Sequence, residues 1–263
     1  MLSEIILKDV AQRCDRFAPD SMEAKTILVT GSSGLIGTYL LAYLHLLDCR
    51  GARVKVYAQS VGAPPAHTLE LLRGKQIMPL QLDLADPAQL CQLPEADVII
   101  HSAGYAQPLM FMANPVATLQ INTTATFELL KRLKPGGSFV FMSSAEVYCG
   151  LSGAPFTEAQ VGTSTPYHPR AAYIEGKRCG EAICAAFCAQ GARAISIRLG
   201  DIYGPGTRRH DQRALNSFIE RALLEQKIAL RDAGAAMRTY CYAADALELV
   251  LQILFAGKHQ VYN

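Results

Sequence analysis

The 263-residue chain has no tryptophan, and aromatic residues make up only 8% of it. An excess of one charge is missing as well: 25 Lys and Arg stand against 23 Asp and Glu, a formal net charge of +2. That balance gives neither nucleic acid nor an anionic membrane an electrostatic hold, so neither is expected as a partner. No window reaches the ~18 uninterrupted apolar residues that span a bilayer. The opening stretch MLSEIILKDVAQRCDRFAP has apolar residues at helical spacing, but acids interrupt it and no small-residue cleavage site follows. It does not read as a signal peptide. The eight cysteines include no CxxC pair and no cysteine–histidine cluster at zinc spacing. Free thiols in a reducing cytoplasm, and no metal site, are the expectation. Fixed-period repeats and low-complexity tracts are absent too.

What is present is 50% hydrophobic residues, enough for one sizeable core. Short β-branched runs alternate with helical patterns from residue 26 onward. Thr26–Thr30, Val54–Ala58, Ile77–Leu82, Asp97–His101, Ser138–Ser143 and Ala194–Leu199 read as strands. Leu35–Leu47, Ala66–Arg73, Val116–Leu133 and Ala172–Gln190 read as helices between them, the third stopped by Lys134-Pro135-Gly136-Gly137. Strands apolar throughout are buried on both faces, and alternation with helices implies right-handed crossovers. The fold class expected is α/β, a Rossmann-type doubly wound parallel sheet. Expected boundaries are an N-terminal helical extension over 1–24, a dinucleotide-binding domain over 25–203, a substrate-lobe segment over 204–239, and a return over 240–263. In that return, Ala243–Phe255 is a helix and Gln260–Tyr262 a last strand.

Thr30-Gly31-Ser32-Ser33-Gly34-Leu35-Ile36-Gly37 lies between the first strand and the first helix of the sheet. Glycines there allow a tight turn and close approach to a pyrophosphate, and the helix N-terminus offers free N–H groups to the anion. The second strand ends Tyr57-Ala58-Gln59-Ser60, without the acid expected to hold an adenosine ribose and without an arginine directly behind it. Gln59 is the candidate at that place, and NAD versus NADP stays open. Tyr173 and Lys177 are four apart at the start of a helix and share a face. An ammonium beside a phenol favours the phenolate, which can then exchange a proton with an alcohol becoming a ketone. Ser144, just past the fifth strand, can hydrogen-bond the same oxygen.

At these residues the chain resembles the extended short-chain dehydrogenase/reductase family: the nucleotide-sugar epimerases, dehydratases and decarboxylases. The resemblance runs from about Thr26 to Asn263. It rests on TGSSGLIG (30–37), Asp83-Leu84, HSAG (101–104), Asn122, SSAEVY (143–148), YIEGK (173–177), RLGDIYGPG (198–206) and RTYCYAADA (238–246). The serine segment looks most like the UDP-glucuronate decarboxylase branch, with Glu146 two residues after Ser144 and a Tyr-x-Glu-Gly-Lys-Arg run. The resemblance implies Ser144, Glu146, Tyr173 and Lys177 as catalytic residues. It places NAD against Gly31, Ser33, Gly34, Leu35, Ile36, Gly37, Asp83, Leu84, Ser102, Ala103, Gly104, Tyr173 and Lys177. It also implies a nucleotide-diphosphate sugar as substrate, a transient 4-keto sugar, and a homodimer paired through the helix that carries Gly176, Gly180, Ala182, Ala185 and Ala186.

Asp201, Arg213 and Arg238 are the expected substrate contacts, Arg238 on the diphosphate. Arg208, Arg209 and Arg213 form a basic stretch that reads equally as diphosphate ligands or as a solvated loop. His101 reads as a structural histidine whose backbone lines the cleft, and Met110, Phe111 and Met112 as packing. Glu146 reads as acid, base or positioning group, or else as a carboxylate capping a turn. Two departures stand out. Members carry asparagine where this chain has Asp201, and a carboxylate there repels a diphosphate. They also continue beyond the position of Asn263, so an incomplete C-terminal substrate lobe is expected. The other readings are a dinucleotide-binding module without catalysis and a simple carbonyl reductase on a non-sugar.

Overall fold

Alternation within each strand decides which residue faces which layer of helices. A computed structural model describes residues 2–14, 22–153, 155–230, 233–235 and 237–263. Strands β1 (Thr26–Thr30), β2 (Lys55–Ser60), β3 (Ile77–Gln81), β4 (Ala96–His101), β5 (Leu133–Ser144), β6 (Arg193–Leu199) and β9 (Val261–Tyr262) form one sheet. Its order is β3-β2-β1-β4-β5-β6-β9, and every pairing is parallel. Strand order reverses between β1 and β4, so the crevice at their carboxyl ends is the natural ligand site.

Ile27, Val29, Val98, Ile100, Val140 and Met142 point to one face, packed by α1 (Leu2–Cys14), α2 (Leu35–Cys49) and α9 (Ala243–Ala256). Their neighbours Leu28, Ile99, Phe139 and Phe141 point to the other, covered by α5 (Pro115–Asn122), α6 (Thr124–Lys131) and α7 (Ala171–Ala189). Helix α1 is built into the first core. Ile6 and Val10 are fully buried, Asp9 accepts from the hydroxyls of Tyr39 and Tyr242, and Arg13 pairs with Asp245. Met1 and residues 15–21 of the expected extension lie outside the described residues.

Two expectations need correction. The helix expected over 116–133 is two, α5 and α6, broken at Thr123. Side chains that bond back to carbonyls four residues earlier bend helices. Here Thr118, Asn122, Thr123 and Thr126 all do so, onto Asn114, Thr118, Leu119 and Asn122. Residues 134–137, expected as a stop between helix and strand, belong to β5, which starts at Leu133 opposite Ala96 and shifts register before Ser138 meets Val98. Gly136 takes φ +73° in that irregularity. The short helices α3 (Ala66–Leu71) and α4 (Pro108–Ala113) complete the first part of the chain.

The excursion over 204–239 is bracketed by β7 (Asp201–Tyr203) and β8 (Tyr240–Tyr242), a parallel pair outside the main sheet. It contains α8 (Ala214–Glu225), none of whose residues is buried; residues 231, 232 and 236 of the expected lobe segment lie outside the described residues. No disulfide joins any of the eight cysteines. Among the described residues no helix is long and apolar enough to cross a membrane.

Candidate active site

The loop from β1 to α2 is shaped by close backbone approach. A Cβ on Gly31, whose φ is +66°, would lie 2.6 Å from Ala103 Cα, and one on Gly37 would lie 2.2 Å from Gly31 O. Only glycine lets β4's outgoing chain and the start of α2 come so near. Gly34 caps α2 with extended backbone and no side-chain cap hydrogen bond, so the first-turn N–H groups around Leu35, Ile36 and Gly37 are open to an anion. This cradle fits a pyrophosphate, and Ser33 lies within it. Ser102 Oγ donates to Thr30 O at 2.6 Å and Ala103 N to Thr30 Oγ1 at 3.3 Å, while Gly104 turns away at φ +154°.

Gln59 is engaged with backbone. It is 2% exposed, its Oε1 accepts from Gly31 N at 3.0 Å, and its Nε2 donates to Leu82 O at 2.6 Å. Both ends of the amide are committed to backbone, which makes Gln59 a brace beneath the glycine loop. Leu84 packs its side chain into the second core, and Asp83 accepts from Ala85 N in the turn after β3. His101 is a buried structural histidine. Nε2 meets Ile121 O at 3.0 Å and Nδ1 meets Thr30 Oγ1 at 2.7 Å. A carbonyl can only accept, so Nε2 carries the proton and Nδ1 accepts from the threonine. Burial pushes the ring's pKa down to about 3, and the Lys177 ammonium adds to this.

Tyr173 and Lys177 sit on the face of α7 that packs against the carboxyl end of β5. Both are buried, at 8% and 5% exposure. Phe111 of α4 stacks on the Tyr173 ring, centroids 4.5 Å apart. Ser144 lies close enough to the Tyr173 hydroxyl to favour its ionised form. Lys177 Nζ donates to Met142 O at 2.6 Å and lies over the Tyr173 ring, 5.7 Å from its centroid. Burial raises the phenol's pKa most; Ser144 and Arg213 pull it down, while Glu146 and Asp201 push it up, and the net direction is upward. The expected lowering by Lys177 therefore needs correction. The ammonium spends its hydrogen bond on Met142, burial brings its own pKa down to about 7, and Arg213 supplies the cationic pull on the phenol.

The charges that act on that hydroxyl are those of Glu146, Asp201 and Arg213. Glu146 does not cap the turn after β5; Ser144 does, its Oγ accepting from Glu146 N at 3.2 Å. The Glu146 carboxylate instead pairs with Arg170 at 2.6 Å. Arg213 is gripped by Asp211 through its Nε and NH2 groups, at 2.7 Å for the shortest contact. Arg208, Arg209 and Arg238 are exposed, and Arg238 NH1 donates to its neighbour Met237's carbonyl at 2.9 Å. Of the expected arginines only Arg213 joins the cluster.

Residues 27–263 match the NAD dependent epimerase/dehydratase family. The chain belongs to that family. It is 29% identical over 234 residues to UDP-glucuronic acid decarboxylase 1 of Xenopus tropicalis, a match covering 88% of this chain and 54% of that protein. The chain thus spans about half the length of this relative. In fold it is similar to the epimerase Mth375 of Methanothermobacter thermautotrophicus, with a TM-score of 0.77 and 20% identity over 98% of this chain and 74% of that one. It is also similar to the dTDP-glucose 4,6-dehydratase DesIV of Streptomyces venezuelae, with a TM-score of 0.71 and 22% identity over 90% and 74% of the two chains.

Three residues bonded to or near the candidate cluster escape a reading of the sequence: Arg170, Asp211 and Glu181. Asp211 stands two residues before Arg213, a spacing that lets a carboxylate accept from the arginine's backbone N, here at 2.9 Å, as well as its side chain. Glu181 stands one helical turn past Lys177, a spacing that puts both on one face. Arg170 carries no such signal beyond lying three residues before Tyr173.

Proposed function

We propose that this chain modifies a nucleotide-diphosphate sugar with NAD through a transient 4-keto sugar. Decarboxylation of a nucleotide-linked uronate is the leading reaction, ahead of epimerisation and dehydration. The observation that carries this reading is the buried Tyr173, with Ser144 and the Glu146 carboxylate both acting on its hydroxyl, and with no second acid preceding Glu146 at Ala145. Tyr173 takes the proton of a sugar hydroxyl, and Ser144 holds the same oxygen. Arg213 supplies positive charge that acts on the phenol, and Lys177 ties the helix to the end of β5 through Met142 O. Glu146 orients the substrate or moves a proton at the carbon next to the ketone. Gly31, Ser33, Gly34, Leu35, Ile36 and Gly37 hold the dinucleotide's pyrophosphate, with Ser102, Ala103 and Gly104 on the neighbouring strand end and Asp83 and Leu84 toward the adenine. NAD, when bound, accepts the hydride and returns it, so no second redox substrate is consumed. A 4-keto group lets a neighbouring carboxylate leave as carbon dioxide, and that consequence places the decarboxylase reading first.

A homodimer in the cytoplasm is part of the same reading. Gly176 and Gly180 are spent inside the chain, against Asn122 and Phe141, so pairing falls to the exposed Ala182, Ala185 and Ala186.

The test is incubation of the NAD-loaded protein with UDP-glucuronate, UDP-glucose and UDP-galactose, followed by mass spectrometry of the nucleotide sugars. Loss of carbon dioxide from UDP-glucuronate is the expected product. Tyr173→Phe lowers turnover by about 10²–10⁴-fold while dinucleotide binding persists. Tight dinucleotide binding without conversion of any sugar would favour a binding module. Net consumption of NADH or NADPH with a small ketone would favour a carbonyl reductase.

A further inference from the structure

We infer that Arg170 is the residue that recognises an acidic sugar, by bridging Glu146 and the carboxylate of the substrate. The inference rests on the uronate reading above and adds a specificity residue to it.

The arginines near Tyr173 differ in how many of their five N–H donors are committed. Arg198 is 3% exposed and donates to Glu181, Tyr148, Glu158 O and Gln160 O. Arg178 donates to Val147 O, Cys149 O and Glu175. Arg213 is locked onto Asp211. Arg170 makes one side-chain hydrogen bond among the described residues, to Glu146 Oε1, and its side chain is 41% exposed. It keeps the most donors uncommitted, while Arg213, whose Nε and NH2 are held by Asp211, retains only its NH1 group and one NH2 hydrogen.

Its backbone is fixed where it needs to be. Arg170 N donates to His168 Nδ1 at 3.1 Å, and Arg170 O accepts from Tyr173 N at 3.0 Å and Ile174 N at 3.1 Å. A flexible guanidinium is thus anchored one turn ahead of the proposed base. It reaches the carboxylate that the base feels most strongly among nearby charges.

The chemistry demands a cation at this place. A uronate bound with its hydroxyl at Tyr173 brings its own carboxylate toward Glu146, and the two anions repel. A planar fork of donors can take a carboxylate in two parallel hydrogen bonds, and Arg170 has donors to spare while it keeps Glu146. A neutral sugar has no use for this arrangement. Arg170 therefore separates acidic from neutral sugars carried on the same nucleotide.

The experiment measures Kd for UDP-glucuronate and for UDP-glucose on NAD-loaded protein, in the Tyr173→Phe background so that neither ligand is consumed. Arg170→Ala is expected to weaken UDP-glucuronate about 10–100-fold, the range of a lost charge-assisted hydrogen bond, and to leave UDP-glucose within about twofold. Arg170→Lys, which keeps the charge but not the fork, recovers part of the loss. Equal weakening of both ligands, or no change in their ratio, overturns the inference. If the parent protein converts UDP-glucuronate while the ratio stays fixed, Arg170 is the error and the decarboxylase reading stands. If the parent protein neither binds nor converts UDP-glucuronate, both fall together.

Discussion

Glu181→Gln tests how the buried ion network supports the proposed site. Glu181 accepts from Ser143 Oγ at 2.5 Å and pairs with Arg198 at 2.7 Å. Arg198 is buried, so the substitution leaves a guanidinium in the interior without its counter-charge. Removing one partner of a buried pair costs about 3–5 kcal/mol, and because glutamine keeps one oxygen to accept from Arg198 the lower end applies, about 3 kcal/mol. At about 2–4 °C per kcal/mol for a chain of this size, the thermal midpoint falls by about 6–12 °C. A second effect reaches Lys177. Burial has brought its pKa down to about 7, and the Glu181 carboxylate is the charge that resists that fall. Without it the ammonium loses its proton at lower pH, so the alkaline limb of kcat/KM moves to lower pH. Calorimetry reads the first effect, and the pH profile of the NAD-loaded enzyme reads the second. An unmoved midpoint together with an unmoved limb would refute the reasoning. Arg198 would then be satisfied by Tyr148 and the carbonyls alone, and burial alone would set Lys177.

His101→Gln is expected to flatten the acid side of the stability profile. The folded ring titrates near 3 against an ordinary 6.5, so its contribution is fully present above 6.5 and is lost toward 3, by about 1.4 kcal/mol per pH unit. Urea midpoints at neutral and mildly acidic pH check this, and equal slopes for both proteins would count against it. Asp201→Asn is expected to tighten binding of UDP-glucose to the NAD-loaded protein by about fivefold, since it removes a carboxylate from the field of Arg213, an effect on the order of 1 kcal/mol. Titration calorimetry measures it, and unchanged or weaker binding would show that Asp201 faces away from the diphosphate.

The main sheet is legible in the sequence because parallel strands buried on both faces read as continuous apolar runs such as Ile27–Val29 and Val98–Ile100. The glycine loop is legible because its spacing reports a backbone need that no other residue meets. The break at Thr123 is harder to see. Threonine and asparagine inside an apolar helical pattern look tolerable until four of them bond back at once. Strands β7 and β8 are three residues each, too short for any period to show. Gln59 marks a deeper limit. A polar residue at a strand end reads alike as ligand or brace, and the choice depends on which backbone groups nearby lack partners. Arg170 marks the same limit at the proposed site, because a lone arginine before a helix resembles any surface cation.

Helix packing and the proposed chemistry rest on the same contacts. Tyr173, Lys177 and Glu181 recur every four residues along α7; Lys177 and Glu181 bond to the carbonyl of Met142 and to Ser143, and Ser144, the next residue of β5, acts on the Tyr173 hydroxyl. Helix and strand are therefore fastened along the line that sets the distance between the phenol and Ser144. That line closes because α7 carries glycine where it crosses its neighbours. A Cβ on Gly180 would lie 2.3 Å from Phe141 Cζ, and one on Gly176 would lie 3.3 Å from the Asn122 Cβ. A larger residue at Gly180 has to lift α7 off the sheet or displace Phe141, over which the Lys177 ammonium rests at 4.8 Å. Either response moves Tyr173 relative to Ser144, so the bare face of this helix is as much a requirement of the proposed proton transfer as of the core.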